Sequence, residues 1–196
     1  MRKVAVLGAG SWGTALSMVL ADNGHEVRLW THRKEQATEI NETNKNSRYL
    51  ENPLPKSIKA YYEIEKAIEY VEAIVLVVPT KAIREVCQKI KDILPEQVTI
   101  IHASKGIEPE TLKRISELIA EEIPSYSYKD IVVLSGPSHA EEVALRHPTT
   151  VTVAAIHEDK ANLAQTFYIN NNFSVYTSDD VIGGELGGAL KNNIEL

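Results

Sequence analysis

The chain has only one cysteine, Cys87, among its 196 residues. A single cysteine excludes an intramolecular disulfide and a zinc site built from cysteines. Basic residues are also in the minority, and the formal net charge is −6. No broad basic surface is therefore expected, and we predict neither a nucleic-acid partner nor attraction to an anionic membrane.

Long apolar runs are lacking as well. No run approaches the roughly 18 residues that a membrane-spanning helix needs. The N-terminal stretch MRKVAVLGAGSWG contains two basic residues. Its apolar part is interrupted by glycines after about five residues, which is too short for a signal peptide. We therefore expect a cytoplasmic protein without a membrane span.

The histidines give no sign of a metal centre. The six histidines show neither pairs at i, i+4 nor an HExxH motif. We therefore predict no bound metal.

The sequence does contain an alternation of short apolar runs and helical stretches. The first five runs are apolar on both faces, as in a parallel sheet covered by helices. The alternation predicts an α/β fold of the Rossmann type, with a doubly wound, mainly parallel sheet. The predicted strands cover residues 3–8, 26–30, 73–79, 98–103, 130–137, 149–155 and 173–178, and the predicted helices cover 14–23, 34–45, 62–70, 80–94, 108–122, 138–146 and 159–168.

Three segments complete the predicted organisation. Segment 149–155 can equally form an antiparallel edge strand, and segment 44–59, which contains Pro53 and Pro55, is interpreted as a loop. A closing helix is expected to begin near Gly183. The predicted dinucleotide-binding domain therefore covers residues 1–182.

The strongest motif is the turn Gly8-Ala9-Gly10-Ser11-Trp12-Gly13, which follows a predicted strand and opens a predicted helix. This is the context that a dinucleotide-binding fingerprint requires. Gly8 permits the tight turn, Gly10 allows the backbone to approach a pyrophosphate, and Gly13 allows close packing of helix and strand. The helix N-terminus then offers N–H groups to the phosphates.

The end of the second predicted strand bears on the choice of cofactor. An NAD-specific site places an acid there to bind the ribose 2′-hydroxyl, but this strand is followed by His32 and Arg33. A guanidinium suits the 2′-phosphate of NADP, which an acid would repel. We predict that the cofactor is NADP(H), with NAD(H) tolerated.

Other strand ends collect small and polar residues. Ligands of open α/β sheets bind outside the carboxyl ends of the strands. Pro79 ends the third apolar run, Lys105 stands between Ser104 and Gly106, Gly136 lies at the end of the fifth run, and Ser138 follows that run. A lysine at a strand tip is well placed to meet an anion.

Six motifs in order resemble the bacterial type of NAD(P)-dependent glycerol-3-phosphate dehydrogenase. They are LGAGSWGTA (7–15), THR (31–33), VVPT (77–80), SKGIE (104–108), LSGPSHAEE (134–142) and GGALKN (187–192). The resemblance extends from residue 3 to residue 192. It implies reduction of dihydroxyacetone phosphate to sn-glycerol 3-phosphate for glycerophospholipid synthesis, by a Rossmann domain followed by an all-helical C-terminal domain.

The resemblance also implies residue roles. The cofactor would be bound by Gly8, Gly10, Ser11, Trp12, Gly13, His32, Arg33, Pro79, Lys105 and Ala140. The phosphate substrate would be bound by Lys105, Gly136, Ser138 and Lys191, and Lys191 would be the proton donor or acceptor. A homodimer is expected for the full-length form.

The C-terminal residues depart from the family pattern. An apolar, alanine-rich continuation is expected after Asn192, but Asn193-Ile194-Glu195-Leu196 follows. We therefore expect residues 183–196 to begin the helix that leads into a C-terminal domain absent from this chain, and the chain to bind cofactor with little or no turnover. Two alternatives are another Rossmann reductase of hydroxyacids or ketoacids, and a non-catalytic NADPH-binding module.

Overall fold

The computed structural model describes residues 1–194, and from residue 190 to 194 it describes the helical backbone alone. Eight strands form one sheet: β1 (Lys3–Leu7), β2 (Glu26–Trp30), β3 (Ile58–Tyr61), β4 (Ala73–Leu76), β5 (Val98–His102), β6 (Tyr128–Ser135), β7 (Thr149–Ala154) and β8 (Phe173–Ser178). The helices are α1 (Ser11–Asp22), α2 (Lys34–Thr43), α3 (Ile64–Ile68), α4 (Ile83–Ile90), α5 (Ile115–Glu122), α6 (Ala140–Ala144), α7 (Glu158–Tyr168) and α8 (Val181–Ile194).

The strand order is β3-β2-β1-β4-β5-β6-β7-β8. All neighbouring strands from β3 to β6 pair in parallel, β6 and β7 pair antiparallel, and β7 and β8 pair in parallel. The predicted doubly wound, mainly parallel sheet is confirmed. Strands β2 and β3 are added on one side of β1, and β4 and the later strands on the other. Sheets of this type bind ligands in the crevice at this switch in strand order, beside the end of β1.

The core lies on both faces of this sheet. Along β1, Val4 and Val6 belong to one buried apolar cluster, whereas Ala5 and Leu7 belong to the other. Successive strand residues point to opposite faces, and both faces are covered by helices, which explains why the strand is apolar throughout.

Several predicted boundaries need correction. The segment interpreted as a loop ends in β3, where Ile58 and Ala60 are buried and Lys59 is exposed. Strand β7 does pair antiparallel, but β8 lies outside it, so β7 is not the edge. Helix α8 begins at Val181, two residues before Gly183, close to the predicted start.

The helix predicted over residues 108–122 is also shorter than expected. Its regular part begins at Ile115, because Leu112 adopts a left-handed backbone with φ of 59° and its side chain is 77% exposed. A branched side chain rarely adopts this conformation, and the helix cannot continue through it. The residues between Lys105 and Ile115 form a loop at the end of β5 instead.

Candidate functional site

The glycine turn joins β1 to α1 in a conformation that requires glycine at two of its positions, Gly8 and Gly13. Gly8 has φ of +124°, and a Cβ atom added to it would lie 2.2 Å from the Val77 carbonyl oxygen. A Cβ added to Gly13 would lie 1.9 Å from the Gly8 carbonyl oxygen. The Gly8 N–H donates to the Trp30 carbonyl at 3.1 Å, which ties the turn to the end of β2.

Gly10 is different, because its surroundings are open. No heavy atom lies within 4 Å of the position that a Cβ would take, and its φ of −76° suits any residue. Gly10 precedes α1, whose first turn contains no acid. The first N–H groups of a helix have no partner within it and carry partial positive charge. The open space beside Gly10 therefore fits a pyrophosphate approaching the helix N-terminus.

The two predicted cationic residues lie at the tip of β2. His32 is exposed, and Arg33 is half-buried and precedes the first turn of α2. The Arg33 N–H donates to the Thr31 side-chain oxygen at 3.2 Å. Because β2 pairs with β1, both residues lie at the same edge of the sheet as the glycine turn.

Lys105 meets the glycine turn from the other side. Its Nζ lies 5.9 Å from the centre of the Trp12 ring, a distance suited to a cation–π contact. The Thr80 hydroxyl donates to the Lys105 carbonyl at 3.0 Å, and Gly106 has φ of +122°. Pro79, which is exposed, immediately precedes Thr80. The structure thus brings the ends of β1, β4 and β5 together.

The loop that carries Lys105 is clamped further along by an ion cluster. The Arg84 guanidinium donates to both oxygens of Glu108, at 2.8 and 2.9 Å, and to Glu122 at 2.8 Å. Hydrogen bonds from Arg84 and Thr111 lower the pKa of Glu108 to about 2. The cluster joins the loop to α4 and α5.

Two of the predicted substrate residues, Gly136 and Ser138, follow the end of β6, and Gly136 faces α8. An open cavity of about 390 Å³ is lined by Gly136 and Pro137 on one side and Gly187 and Gly188 on the other. A Cβ at Gly188 would lie 2.9 Å from the Ser135 hydroxyl oxygen, so the glycine permits the helix to approach β6.

Three predicted site residues remain: Ser138, Ala140 and Lys191. Ser138 is buried, and Ala140 is the first residue of α6. Lys191 belongs to α8, but its side chain lies outside the described residues. The structure therefore brings Gly136 to α8 without testing the role of Lys191.

Sequence reasoning missed a buried polar group beneath the glycine turn. Gln36 and Asn46 both donate to the Ala9 carbonyl, at 2.7 and 3.1 Å, and Thr31 donates to the Gln36 side-chain oxygen at 2.6 Å. No periodic pattern marks these residues, and Asn46 lies in the segment interpreted as a loop.

Sequence reasoning also missed the anchor of α8. Glu185 is 7% exposed and accepts from Arg114 at 2.8 Å and from the Ser116 N–H and hydroxyl, both at 2.7 Å. The His102 Nε2 atom lies 3.0 Å from the same carboxylate. Burial raises the pKa of Glu185, but the hydrogen bonds from His102 and Ser116 outweigh burial and hold it below its ordinary value. In the sequence, the only indication of this anchor is that Glu185 is an acidic residue within a glycine-rich segment.

The described part of the chain contains neither a candidate metal centre nor a candidate membrane span. Within it, no three His, Cys, Asp or Glu side chains come together as a group that could hold a metal ion. Among its helices, none has both the length and the apolar character needed to cross a membrane.

Comparison with known proteins agrees with this geometry. A family model described as the N-terminus of NAD-dependent glycerol-3-phosphate dehydrogenase matches residues 3–161. Curated relatives named glycerol-3-phosphate dehydrogenase (NAD(P)+) include those of Oceanobacillus iheyensis, 62% identical over 196 residues, and Lysinibacillus sphaericus, 58% identical over 197 residues. The alignments cover this whole chain but only 57% and 58% of those relatives.

A solved structure gives the same result in three dimensions. The crystal structure of glycerol-3-phosphate dehydrogenase from Coxiella burnetii superposes with a TM-score of 0.89 at 37% sequence identity. The match covers 95% of this chain and 57% of that one. The chain thus spans somewhat more than half the length of the relatives that it matches.

Proposed function

This chain belongs to the family of NAD-dependent glycerol-3-phosphate dehydrogenase N-termini, and from this premise we propose that it binds the dinucleotide cofactor of a glycerol-3-phosphate dehydrogenase. The proposed cofactor is NADP(H), with NAD(H) tolerated. The proposed reaction is reduction of dihydroxyacetone phosphate to sn-glycerol 3-phosphate, which supplies glycerophospholipid synthesis.

The observation that carries the proposal is the shape of the glycine turn. Gly8 and Gly13 have no room for a side chain, whereas Gly10 leaves open space at the N-terminus of α1. Ser11 and Trp12 would bind the cofactor phosphates there, and His32 and Arg33 would contact the adenosine ribose. Lys105, whose Nζ lies 5.9 Å from the centre of the Trp12 ring, would contact both cofactor and substrate.

Ketone reduction also needs a proton for the developing alkoxide. A nicotinamide cofactor, when bound, would supply the hydride. We propose that Lys191 donates the proton in this direction and accepts it in reverse, since a positioned lysine can both stabilise an alkoxide and protonate it. Lys105 would orient the substrate. Gly136 and Ser138 would hold the substrate, and Pro79 and Ala140 would contact the cofactor.

The proposal for the 196-residue chain itself is narrower. Because it spans 57% of a matched relative, we expect this chain alone to bind cofactor with little or no turnover. A cytoplasmic location, a homodimer and the domain boundary after residue 182 stay predictions.

A paired titration tests the cofactor assignment. Tryptophan fluorescence, to which Trp12 at the turn contributes, is followed while NADPH or NADH is added. We expect tighter binding of NADPH. The Arg33→Ala variant should lose about 10- to 100-fold in NADPH affinity, as charged hydrogen bonds contribute about 1.5–3 kcal/mol each, while its NADH affinity changes little.

A matched control removes one positive charge elsewhere. Lys129 is exposed near the amino end of β6, at the opposite edge of the sheet from Arg33. The Lys129→Ala variant should bind both nucleotides like the unchanged chain. Binding of neither nucleotide to the unchanged chain would contradict the proposed function. An equal loss of NADPH and NADH affinity in Arg33→Ala would contradict the role of Arg33.

A further inference from the structure

Buried side chains connect the glycine turn to the tip of β2. Thr31 is 2% exposed, Gln36 is 6% exposed and Asn46 is fully buried. They lie between the turn, where a pyrophosphate fits, and Arg33, where the 2′-phosphate of NADPH is proposed to bind. Buried polar groups are costly unless each is hydrogen-bonded.

The two side-chain amides use all of their N–H groups. The Gln36 amide donates to the Ala9 carbonyl at 2.7 Å and to the Asn46 side-chain oxygen at 3.0 Å. The Asn46 amide donates to the Ala9 carbonyl at 3.1 Å and to the Thr14 hydroxyl at 2.8 Å. Rotating either amide by 180° would place its oxygen against the Ala9 carbonyl, so the hydrogen bonds fix both orientations.

Thr31 extends this arrangement to Arg33. Its hydroxyl donates to the Gln36 side-chain oxygen at 2.6 Å and accepts the Arg33 N–H at 3.2 Å. Hydrogen bonds therefore run in one direction, from the Arg33 backbone through Thr31 and Gln36 to the Ala9 carbonyl. Aligned bonds of this kind polarise and strengthen one another.

We infer that this buried relay, formed by Thr31, Gln36 and Asn46, is a positioning device that sets Arg33 relative to the glycine turn and so determines the preference for NADPH over NADH. The pyrophosphate and the 2′-phosphate of NADPH are joined through a single ribose, which limits the distance between them, so a rigid link between their binding groups favours the nucleotide that uses both. NADH has no 2′-phosphate and so occupies only one of these two phosphate positions, the one at the glycine turn. The inference rests on the proposed function, in which Arg33 contacts the 2′-phosphate.

The test replaces Thr31, which touches neither phosphate position directly in this assignment. Thr31→Val keeps the shape of the side chain but removes the hydroxyl, so both the Arg33 N–H and the Gln36 oxygen lose a partner. We expect the ratio of NADPH to NADH affinity to fall about fivefold. This is the effect of one neutral hydrogen bond, here the bond that holds the Arg33 N–H. Thr31→Ser, which keeps the hydroxyl, should restore the ratio.

Thr99 provides the control, because Thr99→Val also removes a buried hydroxyl, but in a different part of the fold. It is 1% exposed in β5, and within the described part of the chain its hydroxyl oxygen has no hydrogen-bond partner. Thr99→Val should therefore leave both affinities unchanged. Melting temperatures are measured for every variant, and Thr31→Ala takes the place of Thr31→Val if the valine variant does not fold.

The outcomes separate the two hypotheses. A lower ratio in Thr31→Val with recovery in Thr31→Ser supports the relay. An unchanged ratio, or an equal loss of both affinities, overturns it while leaving the proposed function intact. Failure of the unchanged chain to bind NADPH, or to prefer it over NADH, contradicts the proposed cofactor assignment and removes the inference with it.

Discussion

At the scale of single residues, the same substitution should have different effects at two glycines of one turn. Gly13→Ala should mainly lower stability, whereas Gly10→Ala should mainly lower the affinity for NADPH. Alanine usually stabilises a helix relative to glycine by about 0.5–1 kcal/mol. At Gly13 the added Cβ would lie 1.9 Å from the Gly8 carbonyl oxygen. This clash should outweigh the gain, and we expect Gly13→Ala to lower the free energy of unfolding by about 2–3 kcal/mol, as measured by urea denaturation.

Gly10→Ala is the matched comparison. A Cβ there meets no atom of the protein within 4 Å, so the free energy of unfolding should fall by no more than about 1 kcal/mol, the usual preference for glycine over alanine at an N-cap. The same methyl group would occupy the space proposed for the pyrophosphate, and NADPH affinity should fall. Unchanged affinity in Gly10→Ala would show that the cofactor does not approach this glycine.

At the scale of elements, the sequence predicts those with clear periodicity and misses short ones. Strand β1 and helix α7 lie close to their predicted positions. Strand β3 has only four residues and follows a proline-containing segment, so its alternation was too brief to recognise. The left-handed Leu112 depends on tertiary contacts of the loop around Glu108, and a pattern of apolar spacing carries no information about them.

The anchor of α8 leads to a prediction about this element. Glycines at the face of α8 pack closely but without direction, so the three hydrogen bonds that Glu185 accepts from Arg114 and Ser116 are what fix the helix against the start of α5. Removing one partner of a buried charged cluster costs about 3–5 kcal/mol, because the other charges lose their compensation. We expect Glu185→Ala to lower the free energy of unfolding by about 3 kcal/mol in urea denaturation.

Glu117 is the appropriate control for this substitution. It pairs with the same guanidinium, that of Arg114, at 3.2 Å, but its side chain is 45% exposed and it belongs to α5. Glu117→Ala should cost no more than about 1 kcal/mol. Equal losses in the two variants would mean that Glu185 is not the anchor of α8.

At the scale of the whole molecule, the position of the candidate site follows from the topology. Motifs distant in sequence, such as the glycine turn and the Lys105 loop, meet because parallel strands end at one edge of the sheet. The groups that support them were not predictable, since Gln36, Asn46 and Glu185 have no motif of their own. Their roles depend on which backbone atoms lie opposite them in the folded chain.

The ion cluster around Arg84 makes the stability of the molecule depend on pH. Hydrogen bonds to Arg84 and Thr111 lower the pKa of Glu108 from its ordinary value of 4.5 to about 2, and the pKa values of Glu121 and Glu122 are lowered as well. Between about pH 2 and pH 4.5, the unfolded chain therefore binds more protons than the folded chain. The stabilisation is fully present above pH 4.5 and is lost as the pH falls towards about 2.

Substitution of the shared arginine should remove this dependence. By calorimetry, Arg84→Gln should melt below the unchanged protein at pH 6, and the two melting curves should converge as the pH falls towards the Glu108 pKa of about 2. Lys89→Gln removes a charge from the exposed pair with Glu85 and should give nearly the unchanged profile, since such pairs contribute little. A constant difference between Arg84→Gln and the unchanged protein at every pH would contradict the assignment. Convergence would mean that the loop carrying Lys105 is held by charges that acid removes.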